Sequence, residues 1–411
     1  MRYLVLLTLF CSSLAFGAAH EVDEYHWEGV ERIIAIGDLH GDFDNYLATL
    51  QAAGLVDRKG KWTGGSAHLV QTGDIPDRGP GTGRIIEHIQ KLGKQAQRKG
   101  GRVHNLIGNH EAMNVYGDLR YVHEGEYEAF VTRKSESLRD RWFDIYLQRL
   151  EQNDPERFAA LPIDFREQWN MEYPLGWVEH RQAWHPDGEY GQWVLQNKVA
   201  VRINNMLFLH GGISGFYCQN SLEWLTEKVR ENLQNFVPGS AGILEDDFGP
   251  LWYRGLSGVE PIAVPETVDA ILERHGVSHI AVGHTPTSGV IWPQYDGKVV
   301  MIDTGIASAY GGHRGYLEVT ANGLSGGYPA GKLPLPARDD ERIGYLERVI
   351  ALAPDNPYLQ QRLERLRQPP VPEPSAQDGE TAQVQGEEDL GIDAEQPQPV
   401  QPEIPICGTA E

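Results

Sequence analysis

Cysteine is scarce in this chain of 411 residues: there are three, and only Cys218 and Cys407 lie beyond the first twenty positions. That scarcity argues against a thiolate metal site, and nothing around either thiol marks it as a nucleophile. With Cys407 in a tail of low complexity, the two are expected to stay unpaired. Long apolar runs are missing too. The longest, Tyr3 to Phe16, spans about 14 residues, short of the roughly 20 that cross a bilayer. It follows Met1-Arg2 and closes on Gly17-Ala18-Ala19, the pattern of a secretory signal peptide over 1–19. Cys11 is preceded by Phe10, where a lipoprotein site would want a small residue. The expectation is a soluble, exported chain, periplasmic and without stable membrane insertion.

Positive charge is also short, with 36 Lys and Arg against 58 Asp and Glu and a formal net charge of -22. Ten of the acidic residues fall from Pro369 onward, where there is no Lys or Arg, so the body is only mildly acidic. No basic run of the kind that tracks a polyphosphate backbone is present, which argues against nucleic acid as a partner. The tail, 369–411, is rich in Pro, Gln and Glu and too poor in apolar residues to offset its ordering entropy. It reads as disordered, and its removal is expected to leave folding unchanged.

What is present has a repeated grammar. Arg32 to Ile36, His68 to Thr72 and Val103 to Ile107 are apolar segments, each ending in a polar cluster: Gly-Asp-Leu-His-Gly, Gly-Asp-Ile-Pro-Asp-Arg-Gly and Gly-Asn-His-Glu. Amphipathic stretches from Asp42 to Ala53 and from Pro80 to Lys99 follow the first two with helical spacing. The alternation is β-α-β, with chemistry at the carboxyl ends of strands. Val199 to Ile203 and Met206 to His210 flank Asn204-Asn205, which suits a tight hairpin because Asn tolerates positive φ. Pro265 to His275 reads as a helix. Ser278 to Val282 and Val299 to Ile302 read as strands running into Gly-His-Thr-Pro and Asp-Thr-Gly.

Between 123 and 196 the pattern becomes helix-rich and aromatic, with Trp142, Trp169, Trp177, Trp184 and Trp193. This is an insertion expected to cover one side of the site, its tryptophans serving mainly to pack. The stretch 338–368 holds two amphipathic runs around Ala-Pro-Asp-Asn-Pro, a helical hairpin resembling part of a tetratricopeptide repeat. One pair cannot bury its own apolar face, so it is expected to pack on the body.

The polar loops gather Asp38, His40, Asp74, Asp77, Arg78, Asn109, His110, His210 and His284. Hard oxygens and borderline imidazoles suit divalent manganese, iron or zinc. The number of ligands suits two ions, and a carboxylate such as Asp74 can bridge ions roughly 3.5 to 4 Å apart, so that a bridging hydroxide attacks phosphorus in line. Arg78 offers a planar fork for two phosphate oxygens. His110 could protonate the departing oxygen, with Asp77 orienting it. Asp303, Glu111 and Asp42 read either as supports behind the ligands or as helix and turn caps. His68, His88, His104, His123, His275 and His279 have no motif around them and read as structural.

At Asp38-x-His40, Gly73-Asp74-x-x-Asp77-Arg78-Gly79, Gly108-Asn109-His110-Glu111, His210-Gly211-Gly212 and Gly283-His284 the chain resembles the phosphoprotein phosphatase family of calcineurin-like metallophosphoesterases, and within it the Shewanella-like protein phosphatases. The likeness runs from about Glu31 to Val319. It implies an α/β fold with a central β-sandwich flanked by helices, a catalytic domain over about 28–330, and manganese-type activation with two divalent ions. By it, Asp38, His40 and Asp74 hold the first ion, and Asp74, Asn109, His210 and His284 the second. Arg78, Asn109 and Arg254 bind phosphate, and Tyr310 lies near the site. The motifs depart from the eukaryotic serine/threonine enzymes at Gly283-His284-Thr285-Pro286 and at Tyr253-Arg254-Gly255, patterns that the Shewanella-like group tolerates.

The implied function is hydrolysis of phosphomonoesters, on a phosphoprotein and potentially on phosphotyrosine, or on a small phosphoester. Two alternatives stand beside it. Bacterial dinucleoside polyphosphate hydrolases share the metal motifs, and a degenerate metal-binding interaction module could use the hairpin and tail. Retention of Arg78 and His110 argues against the latter, because an inactive module has no need of a general acid.

Overall fold

The computed structural model describes residues 20–238, 242–258, 262–368 and 405–407. The signal-peptide reading of 1–19 and most of the tail lie outside them. The chain opens with β1 (His20–Asp23), β2 (His26–Glu28) and β3 (Arg32–Ile36), then α1 (Phe43–Ala52), β4 (His68–Gln71), α2 (Thr82–Gln97), β5 (Arg102–Asn105) and α3 (Asn109–Tyr116). A run of helices follows: α4 (Glu124–Ala129), α5 (Ser135–Asn153), α6 (Pro155–Ala159), α7 (Phe165–Glu172), α8 (Trp177–Trp184) and α9 (Glu189–Gln196). Then come β6 (Ala200–Ile203), β7 (Met206–Leu209), α10 (Leu222–Gln234), α11 (Pro265–His275), β8 (His279–Val282), β9 (Trp292–Gln294) and β10 (Val299–Met301). The meander β11 (Tyr316–Thr320), β12 (Gly323–Tyr328) and β13 (Gly331–Pro334) leads to α12 (Arg342–Leu352) and α13 (Pro357–Arg367).

Two sheets result, a seven-stranded one ordered β1-β2-β6-β7-β8-β10-β9 and a six-stranded one ordered β13-β12-β11-β3-β4-β5. The apolar runs explain why they stack. In β3, Ile33 and Ala35 join a core with Val70, Val201, Phe208, Ala281, Val300 and Leu317, drawn from both sheets, while Ile34 and Ile36 join the larger core that includes the helices. Successive side chains point to opposite faces, so a strand buried on both faces must be apolar throughout. The α/β reading with a sandwich at the centre therefore holds.

Strand direction is what positions chemistry. β3, β4 and β5 are mutually parallel in one sheet, and β7, β8 and β10 are mutually parallel in the other. Every loop carrying a candidate ligand leaves the carboxyl end of one of these strands. Asn204 takes the expected left-handed turn at φ 53° between β6 and β7.

In the helical run 124–196, Trp169, Trp184 and Trp193 are buried, and Trp142 packs edge-on to Trp177. These are packing roles. The α12–α13 hairpin rests on the body: Arg342 and Arg362 lie over the Trp292 ring, and Tyr345 pairs its hydroxyl with that of Tyr328 at 2.7 Å. Among the described residues no helix is long and apolar enough to cross a membrane.

The cysteine expectation is overturned. Cys218 and Cys407 form a disulfide with Cα atoms 5.8 Å apart, and both are buried. Low complexity in the intervening tail says nothing about the short Pro405–Cys407 anchor, whose burial depends on a seat built elsewhere: the Cys407 N–H donates to the Thr267 hydroxyl. Deleting the chain after Gln368 is therefore not neutral. Removing this cross-link, by that truncation or by Cys218→Ala with Cys407→Ala, is expected to lower unfolding free energy by roughly 2 to 5 kcal/mol. Denaturant titration with and without reductant checks it: identical curves for oxidised wild type and the double mutant would refute the prediction.

Candidate metal centre and active site

The site is built from strained turns. Nine non-glycine residues have positive φ among those described, and five of them are His40, Asp74, Asp77, Arg78 and His284. Such backbone persists only where surrounding bonds over-determine it. Here Glu111 supplies several: its fully buried carboxylate accepts from the backbone N–H of Asp74 (2.8 Å), Ile75 (2.7 Å) and Gly108 (2.8 Å). It thus caps α3 and clamps the Asp74 turn at once, so both sequence readings of Glu111 apply. Burial and the neighbouring Asp74 charge push its carboxyl up to about 7. Asp42 caps α1 through the Asn45 N–H and also receives the Ser308 N–H, and Asp303 accepts from Gly305; both act as caps.

Hydrogen bonds to backbone carbonyls fix the histidine tautomers, because a carbonyl only accepts. His210 must donate from Nδ1 to Thr72 (3.0 Å) and His284 from Nε2 to Trp252 (3.1 Å). The remaining lone pairs, His210 Nε2 and His284 Nδ1, then face each other at 3.1 Å, with Asn109 Oδ1 at 2.9 Å and Asp74 Oδ2 at 3.3 Å from His210 Nε2. Four acceptors converge with no proton among them, an arrangement that is repulsive unless a cation sits between. His40 repeats the device: Nδ1 donates to the Pro76 carbonyl (3.1 Å), leaving Nε2 facing Asp38 Oδ2 at 4.0 Å.

Two groups could hold an ion, His40–Asp74–His110 and Asp74–His210–His284, with Asp74 common to both. Asp38 borders them, its Oδ1 accepting from the His284 N–H at 3.1 Å. The donor set, imidazoles and carboxylates with one amide oxygen, fits a pair of divalent ions. Burial holds His40 down at about 3 and His284 well below the usual range, so both imidazoles are neutral and keep a lone pair that could meet a cation. Asp38 is raised by burial and by the charges of Asp303 and Asp74.

His110 belongs to the first of these groups by position, its Nε2 3.9 Å from Asp74 Oδ2. Its Nδ1 is held by Asp77 Oδ2 at 2.5 Å, and Asn114 donates to the other Asp77 oxygen at 2.9 Å. Burial would depress His110, but the Asp74 charge, the Asp77 hydrogen bond and the Asp77 charge raise it. Arg78 is half-buried with its guanidinium over the rings of Tyr121 (4.4 Å) and Tyr310 (5.3 Å), and a cleft of about 510 Å³ opens beside Arg78 and His40. Tyr310 also lies 5.2 Å from the His40 ring. Arg254 donates to the His284 carbonyl (2.9 Å) and to Thr285 Oγ1 (3.1 Å), which places it against the second group.

All ten sequence-predicted site residues thus gather at one end of the sandwich. Sequence reasoning missed the carbonyls of Thr72, Pro76 and Trp252, which set the tautomers and carry no side-chain signal. It also missed Tyr121 and Glu126, which stand in no motif. Of the histidines read as structural, His104 and His68 pair at 3.0 Å in the sandwich, away from the site, while His123 lines the cleft.

The family profile for calcineurin-like phosphoesterases matches residues 31–288. An uncharacterised protein of Schizosaccharomyces pombe is 33% identical over 301 residues, 71% of this chain and 77% of that one. Shewanella-like protein phosphatase 2 of Arabidopsis thaliana is 29% identical over 307 residues, covering 70% and 74%. Among solved structures, the cold-active protein-tyrosine phosphatase of a psychrophilic Shewanella species is 28% identical with a TM-score of 0.55, covering 75% of this chain and 81% of that one.

Proposed function

The chain belongs to the calcineurin-like phosphoesterases, a metal-dependent family of phosphoester hydrolases, and from that premise we propose that it is a phosphoprotein phosphatase with phosphotyrosine among its substrates. The observation that carries the proposal is the convergence of proton-free donors around Asp74 beside an arginine fork and a carboxylate-held histidine. The names of its relatives support the protein substrate, and the open cleft next to Arg78 supports a phosphate carried on a bulky group.

In this reading Asp38, His40 and Asp74 hold one divalent ion, and Asp74, Asn109, His210 and His284 the other, with manganese first and iron or zinc as alternatives. The ions supply positive charge that offsets the phosphate and activates a water near neutral pH. Arg78 takes two phosphate oxygens, its fork kept in plane by the Tyr121 and Tyr310 rings. Arg254 and the Asn109 amide flank the phosphate on the other side. His110 keeps a proton for the leaving oxygen because Asp77 holds Nδ1, leaving Nε2 free to donate. Export to the periplasm is supported by the 1–19 pattern and by the Cys218–Cys407 bond, which suits an oxidising compartment. The acidic body supports the absence of nucleic acid among its partners.

The test is a panel of metals against substrates on purified protein: stripped by chelator, then reloaded with Mn, Fe or Zn, and assayed on phosphotyrosine and phosphoserine peptides, a nitrophenyl ester and diadenosine tetraphosphate. Activity should vanish on stripping, return with Mn, and be greatest on the phosphotyrosine peptide. A preference for diadenosine tetraphosphate would replace the protein substrate with a nucleotide one, and full activity after stripping would reject the site.

A further inference from the structure

We infer that Glu126, on the first helix of the insertion, is a positioning residue for this site: its carboxylate fixes the Asp77–Arg78 turn that aims both the leaving-group pair and the phosphate fork. The inference rests on the phosphoester reading above. Asp77 and Arg78 are consecutive non-glycine residues in left-handed backbone, φ 73° and 60°, a conformation that needs outside support. Two bonds provide it. The Asp77 N–H donates to Glu126 Oε1 at 2.9 Å, and the Arg78 N–H donates to the Tyr121 carbonyl at 2.9 Å. Asp77 is wholly buried, so without Glu126 its N–H would be an unpaired donor inside the protein.

Glu126 is built in from every side. Only 2% exposed, it also receives the Thr82 hydroxyl on Oε1, tying the carboxylate to the start of α2. Its Oε2 lies 3.7 Å from Nε2 of His180, a fully buried ring enclosed by Tyr127, Phe130 and Trp184. Neither His180 nitrogen has a hydrogen-bond partner among the described residues. A carboxylate is a costly way to fill space, and an apolar side chain would pack there at less expense unless the acceptor were needed. The acceptor meets the backbone one residue before Arg78 and at the residue that holds His110. The insertion is therefore joined to the catalytic geometry through this side chain, as it also is where Arg181 donates to the carbonyl of Asn114, the partner of Asp77.

The experiment compares Glu126→Gln, which keeps an oxygen acceptor for Asp77, with Glu126→Ala, which removes it; Glu126→Met serves if the alanine variant does not fold. Each is measured for metal content, for kcat and KM on nitrophenyl phosphate and a phosphoserine peptide, and for hydrogen exchange at the Asp77 and Arg78 amides. The alanine or methionine variant should keep its metals, lose roughly 10- to 100-fold in kcat/KM, lose more on phosphoserine than on the nitrophenyl ester, and exchange faster at both amides. The glutamine variant should recover most of each loss. Unchanged kinetics and exchange with only a lower Tm would reduce Glu126 to packing, and a glutamine variant as poor as alanine would overturn the acceptor role. An inactive wild type would reject the phosphoester reading instead, while the exchange comparison would still decide whether Glu126 holds the turn.

Discussion

Asp74→Asn is expected to lose bound metal and turnover together. Asp74 is the one residue shared by both ligand groups, its Oδ2 3.3 Å from His210 Nε2 and 3.9 Å from His110 Nε2. An amide of the same shape removes the negative charge and can turn its NH₂ toward the His210 lone pair. That hydrogen bond would satisfy by itself the repulsion that otherwise calls for a cation. Metal ions supply several kcal/mol of transition-state stabilisation, so kcat/KM should fall on the order of a thousandfold or more. Elemental analysis of the purified variant should find fewer ions per chain. Wild-type metal content with turnover within about tenfold of wild type would show that Asp74 does not join the two groups.

In the proposed ligand set the first ion is held by Asp38, His40 and Asp74, although His110 stands close enough to join them, so His110→Asn should instead keep the metals and lose rate in a way that depends on the leaving group. The Asp77 bond to Nδ1 at 2.5 Å leaves Nε2 as the only nitrogen able to serve substrate. A general acid contributes roughly 100- to 10,000-fold where the departing oxygen needs a proton. A serine alkoxide needs one, tyrosine's phenolate needs it less, and nitrophenolate leaves without it. The loss should therefore be largest on phosphoserine, intermediate on phosphotyrosine and smallest on the nitrophenyl ester. An equal loss on all three, with metal content intact, would assign His110 to the nucleophile or to phosphate binding. The contrast with Asp74→Asn is one of kind: one variant loses its ions, the other loses only proton delivery.

The sequence by itself determined seven of the strands, β3 to β8 and β10, and the candidate ligands. Ile33 to Ile36 and Met206 to Leu209 are apolar at every position because both faces are buried, and a run with no polar face can be read without knowing its neighbours. The candidate ligands were legible because each follows such a run within a few residues, at a turn where Gly and Asp recur. The joining of the two parallel triplets was not legible as geometry, since it depends on strand order, and β3 pairs with β11, 280 or more residues away in the chain. Tertiary structure alone decided which histidine nitrogen faces the metals, because that choice belongs to the carbonyls of Thr72, Pro76 and Trp252, and every residue carries a carbonyl. It alone seated Cys407 against Cys218, since a short anchor gains its burial from a surface built by distant residues such as Thr267. It alone brought Glu126 under Asp77. A glutamate on an amphipathic helix reads as solvated, and only the packing of α4 over the Asp77 turn removes the water and makes its carboxylate the partner of a buried N–H.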